Sequence, residues 1–257
     1  MLVEERRNRL LELVRRRGFA ALPELAGELQ VSESTVRRDL EWLEESGTAR
    51  RTHGGVFYTG SSPQLPHFDE RQPGQWDKKR QIAQRTAELI GDGESLLLDG
   101  GTTTYEVARL LVGRQLRVVT NSLPVANLVA SNLTTGLMFI GGTVDARSGV
   151  SLGPFANRML ATLRVRRTIL SVAAINEQGF YNSDELLVET EQAMMQAAEE
   201  VIVVADSTKF GHQCLAHLCP LDKIDRLVVD DGISKAWRRK LEASKIELII
   251  ANPLPAE

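Results

Sequence analysis

Apolar residues in the N-terminal part of the chain recur every three or four positions, which is the spacing of amphipathic helices. The pattern predicts a first helix around Leu10 and Val14 and a second over residues 23–29, with a proline in its first turn. A third helix is predicted to begin near Glu33, because Ser32 can accept a backbone N–H bond as N-cap and the first turn favours an acidic residue. This order of elements is typical of a helix-turn-helix unit.

The third predicted helix has two different faces. At about 100° per residue, Val36, Leu40 and Leu43 form one apolar stripe, and the opposite side carries arginines and hydroxyls. Arginine can form two hydrogen bonds to guanine in the major groove of DNA, and serine can bond a base edge or a phosphate. The predicted DNA contacts on this helix and its preceding turn are Ser32, Ser34, Thr35, Arg37 and Arg38.

Residues 47–58 alternate between apolar and polar positions and contain a Gly-Gly pair at 54–55, which predicts a β-hairpin. A hairpin directly after the third helix indicates the wing of a winged helix-turn-helix domain. We expect Arg50, Arg51 and His53 on this wing to contact the phosphate backbone.

The N-terminal charges are balanced, which limits the argument for DNA binding. Residues 1–60 contain ten arginines and ten acidic residues, so no bulk basic domain is present. Attraction to DNA must therefore come from the local placement of the arginines. The alternative is a solvated arginine face on a helical bundle that binds other proteins, but the wing and the paired arginines of the third helix favour DNA.

The rest of the chain follows a different pattern. Residues 59–75 are rich in proline, glycine and small polar residues and predict a linker between a DNA-binding domain at 1–58 and a second domain at 76–257. A helix is predicted from Trp76 to about Ile90. Short apolar runs, most of them separated by helix-length segments, then predict a largely parallel sheet covered by helices on both faces, an α/β fold. These runs lie at 95–98, 116–119, 137–140, 168–174, 201–205, 226–229 and 246–250.

Glycines and small polar residues follow four of these predicted strands, at the edge where open α/β sheets bind ligands. The Gly-Gly-Thr-Thr-Thr turn at 100–104 is the sharpest case, because glycines permit close approach and the next helix offers unpaired N–H groups to a phosphate. Any strand-to-helix turn needs a glycine and a cap, so the turn alone is not specific. The predicted effector-binding residues of these strand ends are Asp99, Gly101, Thr102, Thr103, Thr104, Thr120, Asn121, Ser122, Gly141, Gly142 and Lys209.

The chain lacks the two common nucleotide fingerprints, GxxxxGK[ST] and GxGxxG, so a small phosphorylated metabolite is favoured over a nucleotide. Cys214 and Cys219 lie near His212 and His217, which suggests a zinc site, but the spacing fits no known finger, and we expect reduced structural thiols. We predict neither a metal nor a cofactor. No apolar run reaches the ~20 residues of a membrane span and no signal peptide is evident, so a cytosolic protein without membrane contact is expected.

Taken together, these motifs resemble the DeoR family of bacterial transcriptional regulators over almost the full length of the chain. The segments that carry the resemblance are VSESTVRRDLEWLEESGTARRTHGG at 31–55, LLLDGGTTTYEVARLL at 96–111, VVTNSLPVANLVA at 118–130, GGTVDARSGVSLGP at 141–154 and ADSTKFG at 205–211. The first is specific to the family's winged helix-turn-helix. The others resemble its sugar-phosphate-sensing domain, which is similar in fold to ribose-phosphate isomerases and CoA transferases.

The resemblance implies a homodimeric or homotetrameric repressor of a carbohydrate-metabolism operon that binds double-stranded operator DNA and responds to a phosphorylated sugar or related metabolite. It places the predicted strand-end residues around that effector and adds Lys79, which matches a basic position of the family. The chain departs from the family where an acid and a glycine are common, because it carries Ala173 and Ala174 there. The ligand is therefore expected to differ from the family's usual one, or to be absent.

Two other functions remain open at this stage. The first is a sugar-phosphate isomerase-like enzyme fused to a DNA-binding module, but isomerisation requires a placed base, and Ala173 removes a candidate acid. The second is a C-terminal domain that serves only for assembly. We expect a regulator without enzymatic activity.

Overall fold

The computed structural model describes residues 3–17, 19–45, 49–52, 55–58, 68–72 and 74–253. The chain divides into two compact units, one built on the N-terminal residues and one on the remainder. The N-terminal unit contains α1 (Val3–Arg17), β1 (Phe19–Ala21), α2 (Leu22–Leu29), α3 (Glu33–Glu45), β2 (Ala49–Thr52) and β3 (Gly55–Tyr58).

The three N-terminal helices form because each has one apolar stripe, and these stripes meet in a single core. Leu10 and Val14 of α1 and Val36, Leu40 and Leu43 of α3 are all buried there, as the helical spacing predicts. Burial of a Leu or Val side chain contributes roughly 1.5–3 kcal/mol, so these contacts fix α3 against α1 and α2. The predicted helix-turn-helix order is confirmed.

The wing is a three-stranded antiparallel sheet in the order β1-β3-β2. The predicted hairpin of β2 and β3 is confirmed, with Thr52 opposite Gly55. Gly55, predicted to lie in the turn, instead begins β3, where it also pairs with Ala21. The short β1 was not predicted, because three residues between two helices are too few for a period of two to be recognised. Gly54 lies outside the described residues.

The second unit contains the following helices and strands: α4 (Phe68–Arg71), α5 (Trp76–Glu88), β4 (Ser95–Leu98), α6 (Thr102–Leu111), β5 (Arg117–Thr120), α7 (Leu123–Ala130), β6 (Gly136–Phe139), β7 (Thr143–Asp145), β8 (Val150–Leu152), α8 (Pro154–Ala161), β9 (Val165–Ser171), β10 (Ala174–Asn176), β11 (Gly179–Asn182), α9 (Glu185–Gln196), β12 (Ala198–Val204), β13 (Ala216–Cys219), β14 (Arg226–Asp230), α10 (Lys235–Ala243) and β15 (Glu247–Ala251).

Seven strands form the central sheet in the order β15-β14-β12-β9-β4-β5-β6, and all neighbours pair in parallel. Apolar side chains on its two faces belong to two separate cores, because successive residues of a strand point to opposite sides. The predicted parallel α/β sheet is confirmed, and its polar turns meet at one edge, the carboxyl ends of the strands.

Two small antiparallel sheets, β7-β8 and β10-β11-β13, are separate from the central sheet and were not predicted. Residues 59–75 were predicted to be an irregular linker, but Phe68–Arg71 forms a helical turn, and the Phe68 N–H donates to the Arg147 carbonyl at 2.9 Å. Residues 59–67 lie outside the described residues. The segment before α5 is thus tied to the loop between β7 and β8.

Cys214 and Cys219 are not joined by a disulfide. In the part of the chain that the structure describes, no three His, Cys, Asp or Glu side chains lie close enough together to hold a metal ion. Within the same ranges, no helix has the length and apolar character that a membrane crossing requires.

Candidate functional site

The outward face of α3 is polar and exposed. Ser34, Arg37 and Arg38 are exposed on it. The Ser32 hydroxyl accepts a hydrogen bond from the Thr35 N–H at 3.3 Å, which confirms Ser32 as the N-cap, and it also bonds the Ser34 and Thr35 hydroxyls at 2.8 and 2.9 Å. The three hydroxyls thus form one linked group at the start of the helix, one turn before the two guanidiniums.

A buried ion-pair group on the inner side of α3 holds the helix so that its polar face stays exposed. Asp39 is almost fully buried and accepts hydrogen bonds from Arg6 at 2.6 Å and from Arg7 at 3.1 Å, both on α1. Two of the ten N-terminal arginines are therefore engaged within the fold. The Arg7 guanidinium also lies 4.9 Å from the centre of the Trp42 ring. Sequence analysis did not identify Asp39, although it lies beside Leu40 at the edge of the apolar stripe.

The other predicted DNA contacts lie on or beside the wing. Arg50 and Arg51 belong to β2 and pair through their backbones with Phe57 and Val56 of β3. His53 lies outside the described residues. The wing that was expected to carry these residues is present, and their contact with DNA stays a prediction.

The turn between β4 and α6 is packed so closely that only glycine fits. A Cβ at Gly100 would lie 1.9 Å from Val150 Cγ1, and one at Gly101 would lie 1.8 Å from the Ser171 hydroxyl. The Thr104 hydroxyl accepts from the Gly101 N–H at 2.7 Å and donates to its carbonyl at 2.8 Å. The turn therefore holds the first N–H groups of α6, which have no acceptor within the helix, at the strand ends.

Asp99 is the buried acid of this edge. Its Oδ2 accepts from the Ser171 N–H and hydroxyl, both at 3.5 Å, while its Oδ1 has no hydrogen-bond partner among the described residues. Burial raises the pKa of Asp99 to about 6, and its bonds to Gly100 and Ser171 and the nearby Arg71 guanidinium limit that rise. Asp99 is thus a carboxyl with one oxygen available to a ligand.

Three cationic side chains act on this edge from different elements. The pKa of Lys79 is lowered to about 8, chiefly by burial and also by the positive charges of Lys209 and Arg71, while Asp206 opposes the shift. The Lys79 ammonium donates to the carbonyls of Arg71 at 2.6 Å and Gln72 at 3.3 Å. Burial also lowers the pKa of Arg71. The predicted Lys79 and Lys209 therefore act on one another electrostatically. Arg71, which the assignment of residues 59–75 to a linker had hidden, acts on both Lys79 and Asp99.

Several predicted effector residues have side chains that serve local structure. The Thr104 hydroxyl caps α6, and the Thr120 hydroxyl donates to the Leu98 carbonyl at 2.7 Å and accepts from the Ser122 N–H at 3.1 Å. The Ser122 hydroxyl caps α7 by accepting from the Val125 N–H at 3.4 Å. These three hydroxyls are engaged by the backbone, so a direct side-chain contact with an effector is not expected from them.

The remaining predicted residues are differently placed. Thr102 and Thr103 are buried in the first turn of α6, whereas Gly141 and Gly142 are exposed after β6. Asn121 donates to the Ser151 carbonyl at 3.1 Å and is fully buried, yet its Oδ1 has no partner among the described residues. Asn121 therefore offers an acceptor at the end of β5, as Asp99 does at the end of β4.

Sequence analysis missed a second buried acid, Glu191 on α9. It is fully buried, and its Oε1 accepts from the Asn182 amide at 2.6 Å. Burial raises the pKa of Glu191 well above its ordinary value, and the nearby Asp99 raises it further. Helical spacing gives a signal for it, because Val188, Glu191 and Met194 recur at intervals of three and all face the core.

Comparison with known proteins identifies both units. The family model of the DeoR-like helix-turn-helix domain matches residues 6–61, and that of the DeoR C terminal sensor domain matches residues 75–231. The HTH-type transcriptional repressor CsqR of Escherichia coli is 34% identical over 95% of this chain and 94% of its own. The glycerol-3-phosphate regulon repressor of Escherichia coli is 32% identical over 88% of this chain and 90% of its own.

Among solved structures, ribose 5-phosphate isomerase A of Methanocaldococcus jannaschii is 16% identical and aligns with 51% of this chain and 53% of its own, at a TM-score of 0.38. A winged helix-turn-helix joined to an α/β sensor domain defines a DNA-binding transcriptional regulator. The chain belongs to the DeoR family, as its motifs predict.

Proposed function

We propose that the protein represses a carbohydrate-metabolism operon by placing α3 in the major groove of its operator. The observation that carries the DNA contact is the exposure of Arg37 and Arg38 on a helix whose opposite face is fully buried. Such a helix can enter the groove without disturbing the core. The proposed contact surface also includes Arg50 and Arg51 on the wing and the hydroxyls of Ser32, Ser34 and Thr35, and we add His53, which lies outside the described residues.

We further propose that a phosphorylated sugar or related metabolite releases the operator. The support is the meeting of Arg71, Lys79 and Lys209 beside the tight turn at 100–104, which offers positive charge and helix N–H groups to a phosphate. Asp99 and Asn121 offer unpartnered acceptors for hydroxyl groups at the same edge. The glycerol-3-phosphate regulon repressor, a relative over most of the chain, supports this class of effector.

The test is a titration of the purified protein on a labelled promoter fragment from upstream of its own gene, beside a random duplex at physiological salt. We expect tighter binding to the promoter and release by at least one member of a panel of pentose, hexose and triose phosphates. Equal affinity for both duplexes would refute the DNA half. Specific binding that no sugar phosphate alters would refute the effector half.

Lys209→Ala separates the two halves. We expect operator affinity near normal and a response to the sugar phosphate that is weakened about tenfold or more, because one charged contact to phosphate is lost. Lys235→Ala removes an exposed lysine of α10 and serves as the matched control. Release of DNA at the wild-type sugar-phosphate concentration by the Lys209 variant would remove Lys209 from the site.

We propose a homodimer or homotetramer. Helix-turn-helix proteins read paired half-sites as symmetric dimers. Exposed apolar side chains in the second unit, including Leu123, Met138 and Phe155, support self-association. Sedimentation equilibrium at micromolar concentration should give a mass of two or four chains, and a monomer would contradict this part of the proposal.

We propose that the protein is a cytoplasmic regulator without enzymatic activity. The buried Cys219 is a poor nucleophile, because burial raises the pKa of its thiol to about 12 and the nearby Glu191 and Asp222 raise it further. Asp99 and Glu191 are two of the buried acids among the described residues, and a sugar-phosphate isomerase would need such a group as a base. Incubation with pentose and hexose phosphates, followed by proton NMR, should show no turnover, and conversion lost in Asp99→Asn would establish the enzyme instead.

A further inference from the structure

Glu191 is held in one orientation by Asn182. The Asn182 amide group donates to Glu191 Oε1 at 2.6 Å and to the Ser171 carbonyl at 3.3 Å, and its oxygen accepts from the Ala173 N–H at 2.8 Å. These bonds fix which end of the amide faces the acid, so Oε1 of Glu191 is an acceptor. The other oxygen, Oε2, is buried and has no hydrogen-bond partner in the described part of the chain.

Among the described residues, no cation has a resolved effect on the pKa of Glu191. Three groups face this acid. They are the Asp99 carboxyl at the end of β4, the Asn182 amide on β11 and the Cys219 thiol on β13. Two neighbouring buried carboxyl groups cannot both ionise at low cost, and the one without a cation keeps its proton. The Arg71 guanidinium acts on Asp99 and favours the ionised form of that carboxyl. The proton therefore belongs to Glu191, on the oxygen that Asn182 does not occupy.

Asp99 and Glu191 are linked through Ser171 and Asn182, because Ser171 donates to Asp99 and its carbonyl accepts from the same Asn182 amide group that donates to Glu191. Each acid adds one oxygen, unpartnered among the described residues, to this group of bonded residues. Asp99 Oδ1 is an acceptor without a partner, and the protonated Oε2 of Glu191 is a donor without one. A hydroxyl group both accepts and donates, so it satisfies both atoms at once. A phosphate would be repelled by Asp99, and an ammonium group would require both carboxyls to ionise. Ser171 and Ala173 beside the pair are partly exposed, so the pair lies just beneath the surface of the strand ends.

We infer that Glu191 is a specificity-determining residue of the effector site, and that it and Asp99 together bind one hydroxyl group of a phosphorylated polyol. The inference rests on the proposed effector function and narrows it to ligands with a free hydroxyl at this point. It assigns phosphate binding to Arg71 and Lys209, and hydroxyl recognition to the two acids.

The first test needs no ligand. Carboxyl-carbon NMR of the full-length protein labelled at glutamate, with the Glu191 signal assigned by its loss in Glu191→Gln, reports the protonation state directly. Glu191 should remain protonated at pH 7, where a glutamate in water is ordinarily ionised. An ionised Glu191 at pH 7 would overturn the inference.

The second test uses glycerol 3-phosphate, glucose 6-phosphate, fructose 6-phosphate and glucosamine 6-phosphate, with inorganic phosphate as the probe that lacks a hydroxyl-bearing carbon chain. We expect Glu191→Ala to weaken the polyol phosphates that bind by about tenfold, the equivalent of one hydrogen bond, and to leave inorganic phosphate unchanged. Glu191→Gln keeps a donor and should retain binding. The affinity of the wild-type protein for these polyol phosphates should fall as the pH rises through the pKa of Glu191. The affinity of Glu191→Gln should not change with pH in this way.

The outcomes separate this inference from the proposed function. If no member of the panel binds, both are overturned. If polyol phosphates bind equally well to wild type and Glu191→Ala, only the hydroxyl contact is overturned, and a buried water fills the space between the acids. If glucosamine 6-phosphate binds best and Glu191→Gln abolishes its binding, the pair holds an ammonium group and the inference fails. Far-UV circular dichroism of both variants verifies folding.

Discussion

Gly100→Ala tests the claim that the turn between β4 and α6 has no room for a side chain. The new Cβ would lie 1.9 Å from Val150 Cγ1 and 3.3 Å from Ser122 Cβ. Val150 is almost fully buried, so it cannot rotate into solvent. Overpacking of this kind costs about 1–3 kcal/mol, and we expect that loss in the free energy of unfolding measured in urea.

Val150→Ala provides the internal check on Gly100→Ala. Val150→Ala removes the clashing Cγ1, so in the double variant the new methyl group fills part of the vacated space. The double variant should therefore lose about 0.5–3 kcal/mol less free energy of unfolding than the sum of the losses in the two single variants. Gly141→Ala is the control, because a Cβ there meets nothing within 4 Å among the described residues. Strict additivity, or a Gly100→Ala variant as stable as Gly141→Ala, would refute the packing argument.

Two further predictions concern the DNA contact and the buried acid. Arg37→Ala and Arg38→Ala should each weaken operator binding by about 1–3 kcal/mol if the side chain reads a base, measured by fluorescence anisotropy beside the exposed control Arg85→Ala; unchanged affinity would count against α3 as the recognition helix. Because the pKa of Asp99 is raised from 3.8 to about 6, the folded state binds its proton more tightly than the unfolded state does. The free energy of unfolding should therefore fall as the pH rises from 3.8 to about 6, and it should fall less in Asp99→Asn. Parallel pH profiles of the two proteins would contradict the raised pKa of Asp99.

The N-terminal fold could be predicted from the sequence because periodicity and capping agree there. The apolar stripe of α3 places Val36, Leu40 and Leu43 in the core, and Ser32 caps the helix. The turn of the wing was predicted at Gly54-Gly55, but Gly55 begins β3, because Gly-Gly marks a hairpin without fixing its register. That register comes from pairing of Gly55 with both neighbouring strands.

Strand boundaries were predicted less well because charged residues occupy the second and third positions of β9 and β12. The run at 168–174 was assigned to a strand that spans Val165–Ser171. Arg167 is the third residue of this strand and forms ion pairs with Glu94 and Glu200 of neighbouring segments. Such cross-strand pairs allow a strand to extend beyond its apolar run, and a single sequence does not reveal which charges will pair.

The candidate site could be predicted as an edge of the sheet, but not as a set of side-chain roles. Thr104 and Thr120 looked like ligand contacts because hydroxyls at strand ends suit a phosphate, but their hydroxyls bond the local backbone. Arg71 and Glu191 were not predicted, because their sequence context did not suggest a ligand contact. One lies in a stretch whose composition resembles a linker, and the other is a charged residue on a helix, which is normally solvated.

The helical turn α4 is held at both ends within the second unit. The Phe68 N–H at its beginning donates to the Arg147 carbonyl, and the Arg71 carbonyl at its end accepts from the Lys79 ammonium. The Arg71 guanidinium acts on Asp99. The positive charge near this buried acid therefore depends on two backbone contacts that α4 makes with α5 and with the loop between β7 and β8.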